Sequence, residues 1–352
     1  MRLLNSYLTK LYLKYFFIVL ISLEIFFVGI DFMQNLKSLN ESANIKILYM
    51  FYNFMYALNF TLPISIILAL IITAIVLIKS NELVALYSSG YSKKNILKPI
   101  FLTSLSITFL YIGLNFTEFA YAKESISSIK RGEYLKDSKT DLFLKYNNSY
   151  IYFGKLFPVE KKALDVQIFV TKDNDVERII KAKEAKFYQN RWRVENATVI
   201  EKPKDIIPES KIVIKENQSF DILDGFKPKI IDNVYEAKAS FSILDAIDAI
   251  LLLQKQNISI EKIKSILLSV TVFPLFSSLM VVILFFFIPI SSRFFNMLLF
   301  SSIAIFISLA TWGFLFSLVK LSISGVILAE IAIVLPIALL SMVASILYFR
   351  NR

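Results

Sequence analysis

The chain has 352 residues, 56% of them hydrophobic, with 32 Phe and a mean hydropathy of +0.60, more apolar than polar surface residues cover in a soluble protein of this size. It contains no Cys and no His, which excludes disulfides, thiolate chemistry, zinc sites built on those residues and His-based catalytic triads. The net charge of +11 would suggest nucleic acid in a soluble protein, but here the basic residues cluster beside apolar runs, as membrane topology is encoded.

A spanning helix needs roughly 20 largely apolar residues. Six segments meet that standard: Leu11–Met33, Phe60–Ile78, Ile96–Phe119, Ile263–Ile290, Met297–Val319 and Gly325–Phe349. The first follows Arg2, Lys10 and Lys14, as a signal peptide would. It is too long for one, and Asp31–Leu39 offers no small-residue cleavage site, so it reads as a retained helix. Within it, Asp31 and Asn35 follow Glu24 by 7 and 11 residues and share one helical face with it. That stripe should face protein or a water-filled cavity rather than lipid. A structural contact with a neighbouring helix accounts for it, and its sign argues against binding an anionic substrate.

Between spans two and three lies Ser80–Ser92, SNELVALYSSGYS. Glu82, Leu83, Leu86 and Tyr87 suit a short amphipathic helix, with Gly90 as its left-handed stop. Ser92 is placed to cap the next helix, with Lys93 and Lys94 snorkelling at the interface. Two readings fit this pattern: an ordinary interfacial loop, or a coupling helix, a rigid knob seated in a cytosolic motor.

The stretch from Tyr121 to about Lys262 changes periodicity. Asp141–Tyr146 and Ser149–Phe153 read as strands joined by Asn147-Asn148. Val166–Thr171 follows, then a turn over Lys172–Asp175, then Val176–Tyr188, a turn at Gln189-Asn190, and Trp192–Ile200. Lys211–Lys215 and Ser219–Leu223 bring the count to about seven strands, which suggests a small sandwich or open jelly roll. Ile151, Phe153, Ile168, Val170 and Trp192 are its expected inward residues. Ser242-Ile243-Leu244-Asp245 reads as a capping box opening an amphipathic helix to about Gln256, which leads through Asn257–Ser259 into span four.

In the last three spans, Pro274 and Pro336, like Pro63 in span two, read as packing kinks. Phe285–Phe287 and Trp312–Phe316 read as lipid-facing or helix-packing, with an apolar substrate path as the other reading. Glu118 and Glu330 lie near outer span ends, and Lys320 is the expected partner of Glu330. The two helix triplets share no internal repeat. No phosphate-binding loop occurs: Gly154 is followed by Lys, but Ser149 stands where the first Gly is needed. Neither H-E-x-x-H nor G-x-S-x-G is present, so an ATP-driven transporter built on this chain needs its ATPase on another polypeptide.

Orientation follows from Lys and Arg in short loops. Arg2, Lys10, Lys14, Lys79, Lys93, Lys94, Lys98, Arg293, Arg350 and Arg352 all fall on one side of six spans, which that rule makes the cytoplasm. The charged insert then lies on the opposite side. The expected fold is a membrane α-helical protein of six transmembrane helices (3+3) with an inserted periplasmic β-jelly-roll-like domain. Its parts are residues 1–122, with the coupling helix over 80–91; the β domain over 123–241; and the connecting helix with the last three spans over 242–352.

These features resemble the permeases of the lipopolysaccharide export ABC transporter, the LptF/LptG family, over nearly the full length. LLNSYLTKLYLKYFF is similar to the family's opening, a Leu-x-x-Tyr stretch leading into span one. NELVALYSSGYSKKNIL resembles the family's E-L-x-x-x-x-x-S-G-x-S segment, with Glu82, Leu83, Ser89, Gly90 and Ser92 at the matching positions. The resemblance implies that this segment is the coupling helix that contacts the ATPase, to which Leu86 also contributes. NNSYIYFGKL, ALDVQIFV, AKEAKFYQNRWRVENATV and FSILDAIDAILLLQKQN are more similar to the family's G member than to its F member.

The resemblance further implies a non-catalytic subunit that extracts lipopolysaccharide from the outer leaflet of the inner membrane and passes it to a periplasmic bridge. The implied partners are a homologous second permease (LptF-like), a cytosolic ATPase dimer (LptB-like), a membrane-anchored bridge (LptC-like and LptA-like) and lipopolysaccharide, with no nucleic acid. No cofactor is expected on this chain; ATP and Mg belong to the partner ATPase. The implied substrate path takes in Phe27, Ile30, Asp31 and Lys37, then Ile151, Phe153, Ile168 and Val170. In one respect the chain departs from the family: the G member has a lysine near the outer end of span one, where this chain has Asp31. Lys37 or Lys46 has the matching side and sign. Two other readings are a permease of another lipid or lipoprotein exporter, and a membrane-anchored scaffold.

Overall fold

The computed structural model describes residues 2–39, 42–131, 139–146, 149–157, 160–172, 175–189, 191–203, 213–222, 240–254, 259–289 and 296–350. Asn147-Asn148, residues 173–174, Asn190, Lys211, Leu223, Gln256, Asn257, Ile290, Arg293 and Arg352 lie outside them. The chain divides into a helical unit, Met1–Lys130 with Glu261–Arg352, and a second unit, Arg131–Ile260.

The helical unit opens with α1 (Arg2–Asn35) and α2 (Ala43–Lys79), then the short α3 (Glu82–Ser88) and α4 (Lys93–Leu114). A 3₁₀ turn at Glu118–Tyr121 leads into α5 (Ala122–Lys130). After the insert come α7 (Glu261–Thr271), α8 (Leu275–Phe287), α9 (Met297–Ile323), a π turn at Glu330–Val334 and α10 (Leu335–Arg350); α6 (Ile243–Gln254) belongs to the second unit. Among the described residues, five helices are long and apolar enough to cross a membrane, or six spans if the bent pair α7–α8 counts as one.

That pair bends by 45° because Pro274 has no N–H to give and its ring opposes the preceding turn. Pro336 is accommodated differently. The turn before it opens to π spacing, with the Leu335 N–H reaching the Glu330 carbonyl. Pro63 sits inside α2 without ending it.

One apolar core joins the spans, with Leu8, Tyr12, Ile66, Leu70, Ile78, Ile96, Phe276 and Val281 almost fully buried. Hydroxyl contacts stitch helix to helix: Thr108 to Ser278 at 2.9 Å between α4 and α8, and Ser265 to Ser322 at 2.7 Å between α7 and α9. Such pairs satisfy polar groups that lipid cannot. Phe285 and Phe286 are buried packing residues, whereas Phe287 and Phe314 point outward. Trp312 stacks on Phe316 at 5.4 Å.

Glu330 pairs with Lys264, not with Lys320. The π turn packs beside α7, which brings Lys264 to the carboxylate, while the Lys320 ammonium lies over the Phe316 ring at 4.9 Å.

In the second unit, β1 (Lys139–Tyr146), β2 (Ser149–Phe157), β3 (Lys162–Lys172), β4 (Asp175–Tyr188), β5 (Arg191–Glu201) and β6 (Val213–Ile222) form one antiparallel sheet in sequence order. The two last expected strands are a single strand. Asn217 inside β6 has φ 56°, and the β5–β6 register shifts beside it, so a bulge lies where sequence reading places a turn. Ile151, Phe153, Val166, Ile168, Ile180, Trp192 and Val194 make the buried face, with Phe153 and Phe187 ringing Trp192 at 5.4 and 5.6 Å. Val170 is half-buried at the edge of that cluster, and Leu252 of α6 packs against it.

A crease crosses the whole sheet. Pairing skips Asp141 opposite Gly154, Gly154 opposite Asp165, and Asp165 opposite Lys183, then resumes beyond Asn196 and Asn217. Four of these residues, Asp141, Asp165, Asn196 and Asn217, have left-handed φ between 52 and 57°. Asp and Asn tolerate that region better than other side chains, so short polar residues mid-strand bend the sheet along one line. At its start, α6 has the expected capping box: the Asp245 N–H donates to Ser242 Oγ at 3.1 Å, and that hydroxyl donates to Asp245 Oδ2 at 2.8 Å.

Candidate functional site

At one end of the helical unit the chain turns from α2 into α3 through a single left-handed residue, Asn81, at φ 60°. The preceding Ser80 returns its hydroxyl to the Val76 carbonyl at 2.9 Å, closing α2. Glu82 then opens α3, where a carboxylate complements the positive end of the helix dipole. Seven residues later the helix closes in a Schellman motif. The Tyr91 N–H reaches the Leu86 carbonyl at 3.1 Å and the Gly90 N–H reaches that of Tyr87 at 3.0 Å, with Gly90 at φ +85°. Ser92 is extended and caps α4, accepting from the Asn95 N–H at 3.3 Å. Local sequence alone builds this hairpin of helices.

The faces of α3 are distinct. Leu83 is 2% exposed within the apolar core, and Leu86 and Tyr87 pack partly against it. Burial pushes the Tyr87 hydroxyl up to about 12. The opposite face carries Val84, Ala85, Ser88 and Ser89, all exposed. The Ser88 and Ser89 hydroxyls fold back onto the Ala85 carbonyl at 2.9 and 2.8 Å, which leaves a low, small-residue surface. Of the residues singled out in sequence, Leu83 and Leu86 therefore seat the helix from within, and the outward surface includes Val84, Ala85 and Ser88, which pattern reading passed over. The spacing of Val84, Ala85, Ser88 and Ser89 at i, i+1, i+4 and i+5, across from Leu83, Leu86 and Tyr87, was the available signal.

Glu82 is also joined to α1. Tyr7 Oη donates to Glu82 Oε2 at 2.5 Å, across 75 residues of sequence. The same end holds Lys94 Nζ over the Tyr348 ring at 4.8 Å, so the starts of α1 and α4, the whole of α3 and the close of α10 gather together with their basic residues.

Farther along α1, the acidic stripe meets α2. Thr61 donates to Glu24, which is 2% exposed. Tyr49 and Asn53 both donate to Asp31 Oδ2, Asn53 at 2.8 Å, and Asn35 donates to the Asp31 carbonyl at 2.7 Å. Phe27 and Ile30 are exposed, and Lys37 is exposed beyond the helix end. The stripe and the apolar pair thus separate: the acids fasten α1 to α2, and the apolar pair faces away from the core.

In the sheet, Ile151, Phe153 and Ile168 are packed against Trp192, Val166 and one another. They fill the interior instead of lining an open channel, and an acyl chain would have to displace them. A separate cavity of about 650 Å³ opens over the crease, lined by Asp165, Lys181, Lys183, Arg193, Asn196 and Asn217 among others. Its charged walls do not suit hydrocarbon.

The family described as lipopolysaccharide export system permease LptF/LptG matches this chain over residues 6–350. No curated protein matches it.

Proposed function

The chain belongs to the LptF/LptG family of lipopolysaccharide export permeases, and on that premise we propose how its parts divide the work. Members are transmembrane subunits without catalysis of their own, and the family implies an Lpt transporter complex. In our reading this chain, closer to the G member by its insert, pairs with a homologous permease. A cytosolic ATPase dimer supplies ATP hydrolysis with its own Mg. Lipopolysaccharide is drawn from the outer leaflet of the inner membrane toward a membrane-anchored periplasmic bridge. Both termini face the cytoplasm and the β domain the periplasm, as the gathering of basic residues at the α3 end supports.

The observation that carries the coupling role is the build of α3: closed at its C-terminal end by the Schellman motif, anchored inward by Leu83 and presenting Val84, Ala85 and Ser88 outward. A knob transmits force only if it does not deform, and the Schellman cap with the buried Leu83 supplies that stiffness. Small side chains let another surface approach the backbone closely. Phe27 and Ile30 supply apolar surface on α1 suited to acyl chains, and Lys37 lies beyond them with the sign that a phosphate requires.

The test is Glu82→Lys in the complex purified in mild detergent. ATPase co-purification is expected to fall at least tenfold while the permease itself still folds and inserts. Normal co-purification together with normal lipopolysaccharide export would remove the coupling assignment.

A further inference from the structure

Within the reading of α3 as the coupling helix, we infer that Tyr7 is a positioning residue that carries displacement of that helix into α1, and through α1 to its far end. The argument begins with connectivity. α3 is joined by backbone to α2 through Asn81 and to α4 through Tyr91-Ser92, so those helices follow it directly. α1 has no such link, because its chain connection to α2 lies at the opposite end, over residues 36–42. At the α3 end it meets α3 through side chains. Leu8 and Leu83 share the apolar core, and the Tyr7–Glu82 hydrogen bond at 2.5 Å fixes the direction of the contact.

Apolar packing alone allows sliding, since it is non-directional. A hydrogen bond to a carboxylate is directional and resists it, being roughly twice as strong as a neutral one. Glu82 uses only Oε2 for Tyr7, and a carboxylate has about four acceptor sites, so the bond is compatible with a second partner on the ATPase.

What α1 receives, it delivers. It is one continuous helix from Arg2 to Asn35 with no proline, and Tyr7 and Asp31 stand roughly 36 Å apart at 1.5 Å per residue. Along that length it is fastened to α2 by the Tyr12 hydroxyl on the Ile66 carbonyl at 2.8 Å, by Glu24 with Thr61 and by Asp31 with Asn53. α1 therefore receives displacement of α3 by two routes, from Tyr12 onward through these bonds to α2 and at its own first turns through Tyr7, and the surface at its far end is the exposed pair Phe27 and Ile30. Tyr7 is the direct route, at the end where force enters.

The experiment compares Tyr7→Phe, Glu82→Gln and the double variant in the whole complex reconstituted in proteoliposomes. ATPase retention, hydrolysis rate and lipopolysaccharide released per ATP are read together. Tyr7→Phe keeps the ring and its packing, so ATPase retention should match the unmodified complex while lipopolysaccharide per ATP falls about tenfold, the scale of one hydrogen bond to a charged group. Glu82→Gln accepts only a neutral, weaker bond from Tyr7 and should lower the yield in its own right, and the double variant should be no worse than the lower of the two single variants. An unchanged yield in Tyr7→Phe overturns the inference. Loss of the ATPase from Tyr7→Phe also overturns it, since Tyr7 would then be a prop for α3 only. Should Glu82→Lys retain both ATPase and export, the coupling reading itself fails, whatever Tyr7→Phe does.

Discussion

Asn53 Nδ2 lies 2.8 Å from Asp31 Oδ2, and with Tyr49 it turns the acid near the far end of α1 toward α2 instead of lipid or substrate. Hydrogen bonds to a charged group contribute about 1.5–3 kcal/mol each. Asn53→Ala and Tyr49→Phe should each lower thermal stability in detergent, and the double variant should lower it further, because Asp31 then keeps neither donor. Asp31→Asn, still able to accept from both, should lie between the unmodified protein and the double variant. A double variant as stable as the parent would mean that the contact does not hold α1.

Glu24 and Thr61 make the corresponding contact deeper in the bundle. Thr61→Val keeps the shape and deletes the donor, so a carboxyl that is 2% exposed loses its described partner. The expected cost is on the order of 2–3 kcal/mol, with Thr61→Ser close to the parent because the hydroxyl returns. Differential scanning in detergent reads both. Equal melting of the Val and Ser variants would show that the hydroxyl contributes nothing.

What could be read from the sequence divides by the range of the interaction. Ser80–Ser92 was legible almost entirely, since a left-handed glycine, a capping serine and an amphipathic repeat all act within one turn. Spans were legible from apolar length, but α2 begins at Ala43, well before the apolar window at Phe60. Lys46, Tyr49, Asn53 and Asn59 break the hydropathy there, and their meaning depends on α1: Tyr49 and Asn53 serve Asp31. Glu24 and Asp31 were correctly placed on a stripe facing α2, whereas Asn35 bonds back within α1; the partners of the two acids were not legible, nor was Lys264 as the partner of Glu330. The Tyr7–Glu82 bond spans 75 residues, and no local pattern encodes it. In the sheet, the break around Asn217 separated two expected strands, and only the register distinguishes a bulge within β6 from two strands.

Gly90 should be replaceable only by residues that tolerate its backbone. At φ +85° an added Cβ meets nothing within 4 Å, so the cost is conformational and not steric, roughly 1–2 kcal/mol for an ordinary L-residue. Gly90→Asn should be mild and Gly90→Val severe. Hydrogen exchange at the Gly90 and Tyr91 amides, the two donors of the Schellman motif, should accelerate about tenfold or more in the Val variant, since 1.4 kcal/mol is a factor of ten. ATPase retention should fall in the same order. Unchanged protection in Gly90→Val would show that the Schellman cap does not stiffen α3.

Gly154 tests the crease. An alanine Cβ there would lie 2.8 Å from the Asp165 Cβ, and Asp165 cannot easily yield, because its own backbone is held at φ 52° within β3. Overpacking of this kind costs about 1–3 kcal/mol, so Gly154→Ala should destabilise the β unit while leaving the spans intact. Trp192 reports that unit from its buried face, and Trp312, the chain's other tryptophan, belongs to the helical unit, so Trp312→Phe isolates the signal. In that background, denaturant unfolding of Gly154→Ala should shift to lower midpoint. Adding Asp165→Gly removes the opposing Cβ at a position whose positive φ suits glycine, and should recover most of the loss. Were Asp165→Gly to add its own destabilisation instead of relieving the first, the two residues would not be in steric contact and the crease would owe its shape to other positions.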